Sequence, residues 1–255
     1  MQAYFCLTKY FVNDIIFCML GILFYDSLGI FERILLFVLV AAALVFSIML
    51  HEIAHGYVAH LNGDDTAKNR GRLTLNPKKH FDILGAIMVV FVGFGYAKPV
   101  PVNPNNFRSY RKGCILVSIA GVVTNIIIAF LASGFYILFY KLAANAASMP
   151  LSMVSMFFYY LSWFNVVLCF FNILPFFPLD GFNLIDALCK RENAFIRFMR
   201  SYGQYILIAL ILVSIMVSRV GVPEYFSPLD LYFNYTAHYV SSGFNAFWNL
   251  IFGGI

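Results

Sequence analysis

Residues 34–50, ILLFVLVAAALVFSIML, form an uncharged apolar run that passes straight into His51-Glu52-Ile53-Ala54-His55. No other feature restricts the chain as strongly. A helix needs about 20 apolar residues to cross the hydrocarbon core of a bilayer. Three ionisable side chains at the end of such a run are costly unless they serve a function. The spacing names a candidate function. On a helix, positions i and i+4 lie about 40° apart around the axis, so His51 and His55 share one face. Two imidazoles on one face can take two positions of a tetrahedral metal. A glutamate one residue round, Glu52, can act as base on a metal-bound water.

The rest of the chain agrees with a membrane setting. Of 255 residues, 62% are apolar and 11% charged, against about 25% charged in soluble domains. Strong apolar spans are expected at 34–60, 113–140, 151–177 and 203–220. A weaker one at 11–31 is interrupted by Asp14 and Asp26, and a possible last one lies at 240–255. The first thirty residues lack a convincing small-residue cleavage site and read as a retained span rather than a signal peptide. The expected fold is therefore an all-α polytopic membrane protein with five or six transmembrane helices. It is read as one domain over 1–255, with a core at 34–182 and peripheral helices at 1–33 and 183–255.

The run at 83–97 is too short and too rich in glycine (Gly85, Gly93, Gly95) to be a clear span, and it leads into the prolines of KPVPVNPNN. Most of the 17 Lys and Arg fall in 61–82, 98–112 and 183–200. All three stretches lie on one side if 83–97 does not cross, which the positive-inside rule favours. A re-entrant segment is expected between the second and third spans. Irregular backbone at that depth must line protein or a water-filled cavity. The same charge pattern places the basic loops in the cytoplasm and gives no reason to expect nucleic acid as a partner. The five cysteines have no C-x-x-C spacing, which argues against a disulfide framework and a cysteine metal site.

A catalytic zinc needs a third protein ligand and an open position. Leu61 stands where an extended histidine motif would place its third imidazole, and the next glutamate after Glu52 is Glu192. His60 lies about 140° round the helix from His55, and His80 and His238 sit in polar or interfacial contexts. Asp180 ends an apolar span in NILPFFPLDG (172–181), where prolines break the helix and Gly181 permits an unusual backbone. Its carboxylate can turn into the bundle or cap a helix beginning near Phe182. On spacing alone the two readings stand level.

HEIAH, GDDTAKNRGRLTLNPKKHFD (63–82), FGYAKPVPVNPNNF (94–107), AGVVTN (120–125) and NILPFFPLDG together resemble the site-2 protease family of intramembrane metalloproteases. The resemblance covers about residues 45–185, in the family's order. It implies one Zn2+ held by His51, His55 and Asp180, with Glu52 as catalytic acid/base. It also implies a re-entrant loop or β-hairpin over 83–107 and a compact form without a PDZ domain. The implied activity is hydrolysis of peptide bonds within or near transmembrane segments of membrane-protein substrates, as in regulated intramembrane proteolysis. The simplest location is a bacterial inner membrane. Val122 replaces a common proline, and Phe182 and Asn183 depart from the usual residues after the aspartate. Asn125 and Asn172 are candidates for stabilising an oxyanion, with helix–helix hydrogen bonding as the equal alternative. The competing functions are a catalytically inactive membrane-protein-binding relative and a metal transporter.

Overall fold

A computed structural model describes residues 29–80, 98–189, 191–220 and 223–253, together with Ile22. The chain forms α1 (Ile30–Leu61), the short α2 (Thr66–Asn69), α3 (Tyr110–Ala146), α4 (Met149–Ile173), α5 (Asp180–Leu188), α6 (Ala194–Val220) and α7 (Pro228–Ile251). Among the described residues there is no strand. Local chemistry sets several of the ends. At the start of α1, Glu32 accepts the Gly29 N–H at 2.9 Å, half of a capping box. α4 stops at Ile173 because Leu174 precedes Pro175, and a residue before proline is pushed out of helical geometry. α7 opens with Pro228 at its first position, while the Ser227 hydroxyl accepts the Asp230 N–H at 3.2 Å.

Four of these helices are long and apolar enough to cross a membrane: α1, α3, α4 and the Ala194–Val217 part of α6. Their surfaces are arranged for lipid. On α3, Val123, Ile127, Leu131 and Phe135 recur every fourth residue and are exposed, while Gly121, Asn125, Ala129 and Ser133 are buried. In water the apolar stripe would face inward. Here it faces out, and small or polar residues hold the helices together. Asn165 of α4 donates to the Ser47 hydroxyl of α1, and Ser162 of α4 donates to the Ala129 carbonyl of α3, each at 2.8 Å. The Trp248 indole of α7 donates to the Phe130 carbonyl of α3 at 2.9 Å. The protein is an integral membrane protein with α1, α3 and α4 as its central group.

Several helices outrun the spans expected from apolarity. α3 extends the 113–140 run at both ends, α6 begins at Ala194 rather than 203, and α7 begins at Pro228 rather than 240. The added turns carry polar residues such as Arg197, Arg200 and Asp230. Hydropathy marks the part of a helix that lipid can surround, and backbone hydrogen bonding continues past it. The 151–177 span is instead cut short at Ile173 by Pro175. Apart from Ile22 and residues 29–31, the first expected span lies outside the described residues, as does most of the expected re-entrant segment.

The described flanks of 81–97 meet: the Lys98 N–H donates to the His80 carbonyl at 2.8 Å. From there 98–108 runs beside the C-terminal half of α1. The Asn103 N–H and the Asn106 side chain both donate to Asp64 at 2.7 Å, and the Arg108 N–H donates to the Asn62 carbonyl at 2.9 Å. Burial raises the Asp64 pKa, but bonds from Thr66, Asn103 and Asn106 outweigh it and hold the carboxyl below its ordinary value. This anchor places the start of α3 beside the end of α1, so the two helices run antiparallel.

Candidate metal centre

α1 presents His51 and His55 toward α3 and α5. Their Nε2 atoms are 3.0 Å apart. The Asp180 carboxylate, on the first residue of α5, brings one oxygen to 3.3 Å from His51 Nε2 and 3.2 Å from His55 Nε2. No side-chain bond caps α5, so Asp180 faces the imidazoles and not its own helix end. A carboxylate there also lies at the positive end of the α5 dipole.

Two features fix α5 in this position. A Cβ on Gly181 would fall 2.1 Å from the Ile173 carbonyl oxygen, so the start of α5 lies directly against the end of α4 and only glycine fits. At the other end, Arg111 from the first turn of α3 donates to the carbonyls of Ala187 (2.9 Å) and Leu188. A cation on the last carbonyls satisfies groups that the helix itself cannot.

The fit to a metal can be tested on the distances. Ligands about 2.0–2.1 Å from a tetrahedral zinc stand about 3.3 Å from one another. The three observed separations are 3.0, 3.2 and 3.3 Å. Two imidazoles and a carboxylate are a common zinc donor set, and these atoms form the one such cluster among the described residues. The His55 Nδ1 lies 2.8 Å from the Val117 carbonyl, which can only accept, so Nδ1 carries a hydrogen and the neutral ring has its lone pair at Nε2, as a metal ligand requires.

Glu52 shares the helix with the two histidines, and its Oε2 accepts the Val100 N–H at 2.9 Å. The extended segment beside α1 therefore holds the glutamate. Arg72 steadies that segment by donating to the carbonyls of Lys98 and Pro99. Of the two asparagines singled out in the sequence, Asn125 lies 3.1 Å from His51 Nδ1, while Asn172 donates to the Leu168 carbonyl of its own helix at 2.9 Å. His60 contacts Asp65, and the buried His80 contacts the Thr74 carbonyl; neither joins the cluster.

Gly121, within the AGVVTN stretch, packs against the cluster in a way that residue types alone did not reveal. A Cβ there would stand 2.4 Å from His51 Cε1 and 2.6 Å from His55 Nε2. The imidazoles occupy the space a side chain would need. Gly121→Ala is expected to displace them, lowering metal affinity about 10–100-fold, the range seen when a ligand loses its support. Competition with a fluorescent chelator measures this, and an unchanged helical circular dichroism spectrum separates it from unfolding.

Residues 137–214, which include Asp180, match the model of peptidase family M50. The chain is 45% identical over 147 residues to "Putative zinc metalloprotease YwhC" of Bacillus subtilis (strain 168), covering 57% of this chain and 66% of that protein. It is 24% identical over 199 residues to "Putative zinc metalloprotease Rip2" of Mycolicibacterium smegmatis, covering 76% of this chain and 74% of that one. No solved structure matches.

Proposed function

We propose that this chain, similar to peptidase family M50 over residues 137–214 and to proteins named zinc metalloproteases, is an intramembrane zinc metalloprotease. Its reaction is hydrolysis of peptide bonds within or near transmembrane segments of other membrane proteins. The observation that carries this reading is the convergence of His51, His55 and Asp180 within 4.8 Å, with Glu52 on the next helical position. A transporter would have no need of Glu52, and an inactive relative would be expected to have lost one of the four.

His51 Nε2, His55 Nε2 and one Asp180 oxygen would hold the ion. When bound, zinc lowers the pKa of a water to about 7 and polarises the scissile carbonyl. The chain's own residues do the remaining work. Glu52, fixed through Oε2 by Val100, takes the proton of the attacking water on Oε1. It then passes that proton to the departing amide nitrogen as the C–N bond breaks. Asn172, whose amide donates to the Leu168 carbonyl of its own helix, is the candidate that remains for stabilising the oxyanion. A transmembrane substrate hides its peptide bonds in helical hydrogen bonds, so it must unwind first, and helix-weakening residues near the cut favour this.

The working unit is the single domain 1–255 with its core at 34–182, in a bacterial inner membrane with the basic loops cytoplasmic. The test uses purified protein in proteoliposomes with a glycine-containing transmembrane model substrate. Cleavage is expected, to cease with 1,10-phenanthroline and to return with added Zn2+. Cleavage that persists with the metal removed overturns the reading.

A further inference from the structure

The two imidazoles rest on a single face of α3. Val117, Gly121 and Asn125 are spaced by four, as are His51 and His55, and the helices are antiparallel. His55 therefore meets Val117, His51 meets Asn125, and Gly121 lies between them. The Val117 end is settled by chemistry, since its carbonyl must accept the His55 Nδ1–H.

We infer that Asn125 is the equivalent positioning residue for His51: its side-chain carbonyl oxygen accepts the His51 Nδ1–H and keeps the Nε2 lone pair directed at the metal. Asn125 is fully buried, and its Oδ1 has no hydrogen-bond partner while its Nδ2 stands 3.1 Å from His51 Nδ1. Oxygen and nitrogen of an amide exchange places by a half-turn of the side chain. With nitrogen toward the ring, His51 Nδ1 must accept, its hydrogen moves to Nε2, and that atom cannot bind a metal. With oxygen toward the ring, both histidines have the same tautomer and both lone pairs meet Asp180. Hydrogen-bond counting does not choose between the two, because each leaves one amide group unpartnered. The demand for a lone pair at Nε2 chooses the second.

This assignment rests on the metal site proposed above and adds the means by which its first ligand is oriented. It differs from an oxyanion role for Asn125, which would require the amide to donate to substrate and would leave metal affinity unchanged.

The experiment measures Zn2+ affinity of the full-length protein in detergent by chelator competition, together with the visible absorption spectrum of the Co2+-loaded protein. Asn125→Leu, an apolar replacement suited to a membrane helix, is expected to weaken Zn2+ binding about 10–100-fold and to shift the Co2+ bands. Asn125→Asp keeps an acceptor and is expected to restore affinity to within about threefold of the parent protein. Parent-like affinity in Asn125→Leu overturns the inference. So does an Asn125→Asp protein that folds but binds as weakly as the leucine variant. Failure of the wider reading looks different: the parent protein would bind no zinc, or would bind it without cleaving the model substrate. In the latter case the affinities still decide the role of Asn125.

Discussion

Glu52→Gln is expected to reduce cleavage of a transmembrane substrate by about 10²–10⁴-fold while bound zinc stays at the parent level. The size follows from the usual contribution of a positioned general acid–base, about 3–5 kcal/mol of transition-state stabilisation. Glutamine keeps the shape of the side chain, and its amide oxygen can still accept the Val100 N–H that Glu52 Oε2 accepts at 2.9 Å. What it loses is the ability to take a proton from water at neutral pH. Because Glu52 is not part of the His51–His55–Asp180 cluster, zinc content should not change. Measured together, zinc per protein and product per hour separate the two roles on α1. Full activity in this variant would remove Glu52 from the reaction, and loss of zinc would place it among the ligands.

Asp180→Ala is expected to show the opposite pattern, with metal and activity lost together. One of the three proposed ligands goes, along with the only formal negative charge in that cluster. Tight protein sites bind zinc with about 10–16 kcal/mol shared among their ligands, so losing one costs on the order of 10³-fold in affinity. The replacement is small and leaves Gly181 and its contact with the Ile173 carbonyl untouched, so α5 should keep its place. Metal analysis of purified protein measures the outcome. Zinc bound at the parent level would exclude Asp180 from the site, whatever happened to activity.

The parts of this protein that the sequence revealed are those written in side-chain type. His51, Glu52 and His55 announce themselves by spacing at the end of an apolar run. Asp180 is visible as a carboxylate among prolines at the end of another, although spacing alone could not tell a ligand from a cap. The parts that stayed hidden are made of backbone or of empty space. The Val117 carbonyl that orients His55 and the Val100 N–H that holds Glu52 belong to residues whose side chains are merely apolar. Any residue supplies such groups, so no letter marks them. Gly121 was visible as a letter, but its value lies in the volume that it leaves for two rings. Apolarity marks spans rather than helix ends, so the first turns of α6 around Arg197 and Arg200 were not legible as helix.

The clustered histidine and aspartate atoms come from two stretches of chain far apart in the sequence, one in α1 and one at the start of α5, and α5 rests chiefly on α3. An ion gripped between them would thus serve as a buckle, closing a ring that runs from His55 through α3 and α4 back to Asp180. Closing a long ring removes open-chain conformations, and a ligand that binds only the assembled form favours assembly. Metal supply would then govern how long the protein survives in its membrane as well as how fast it works.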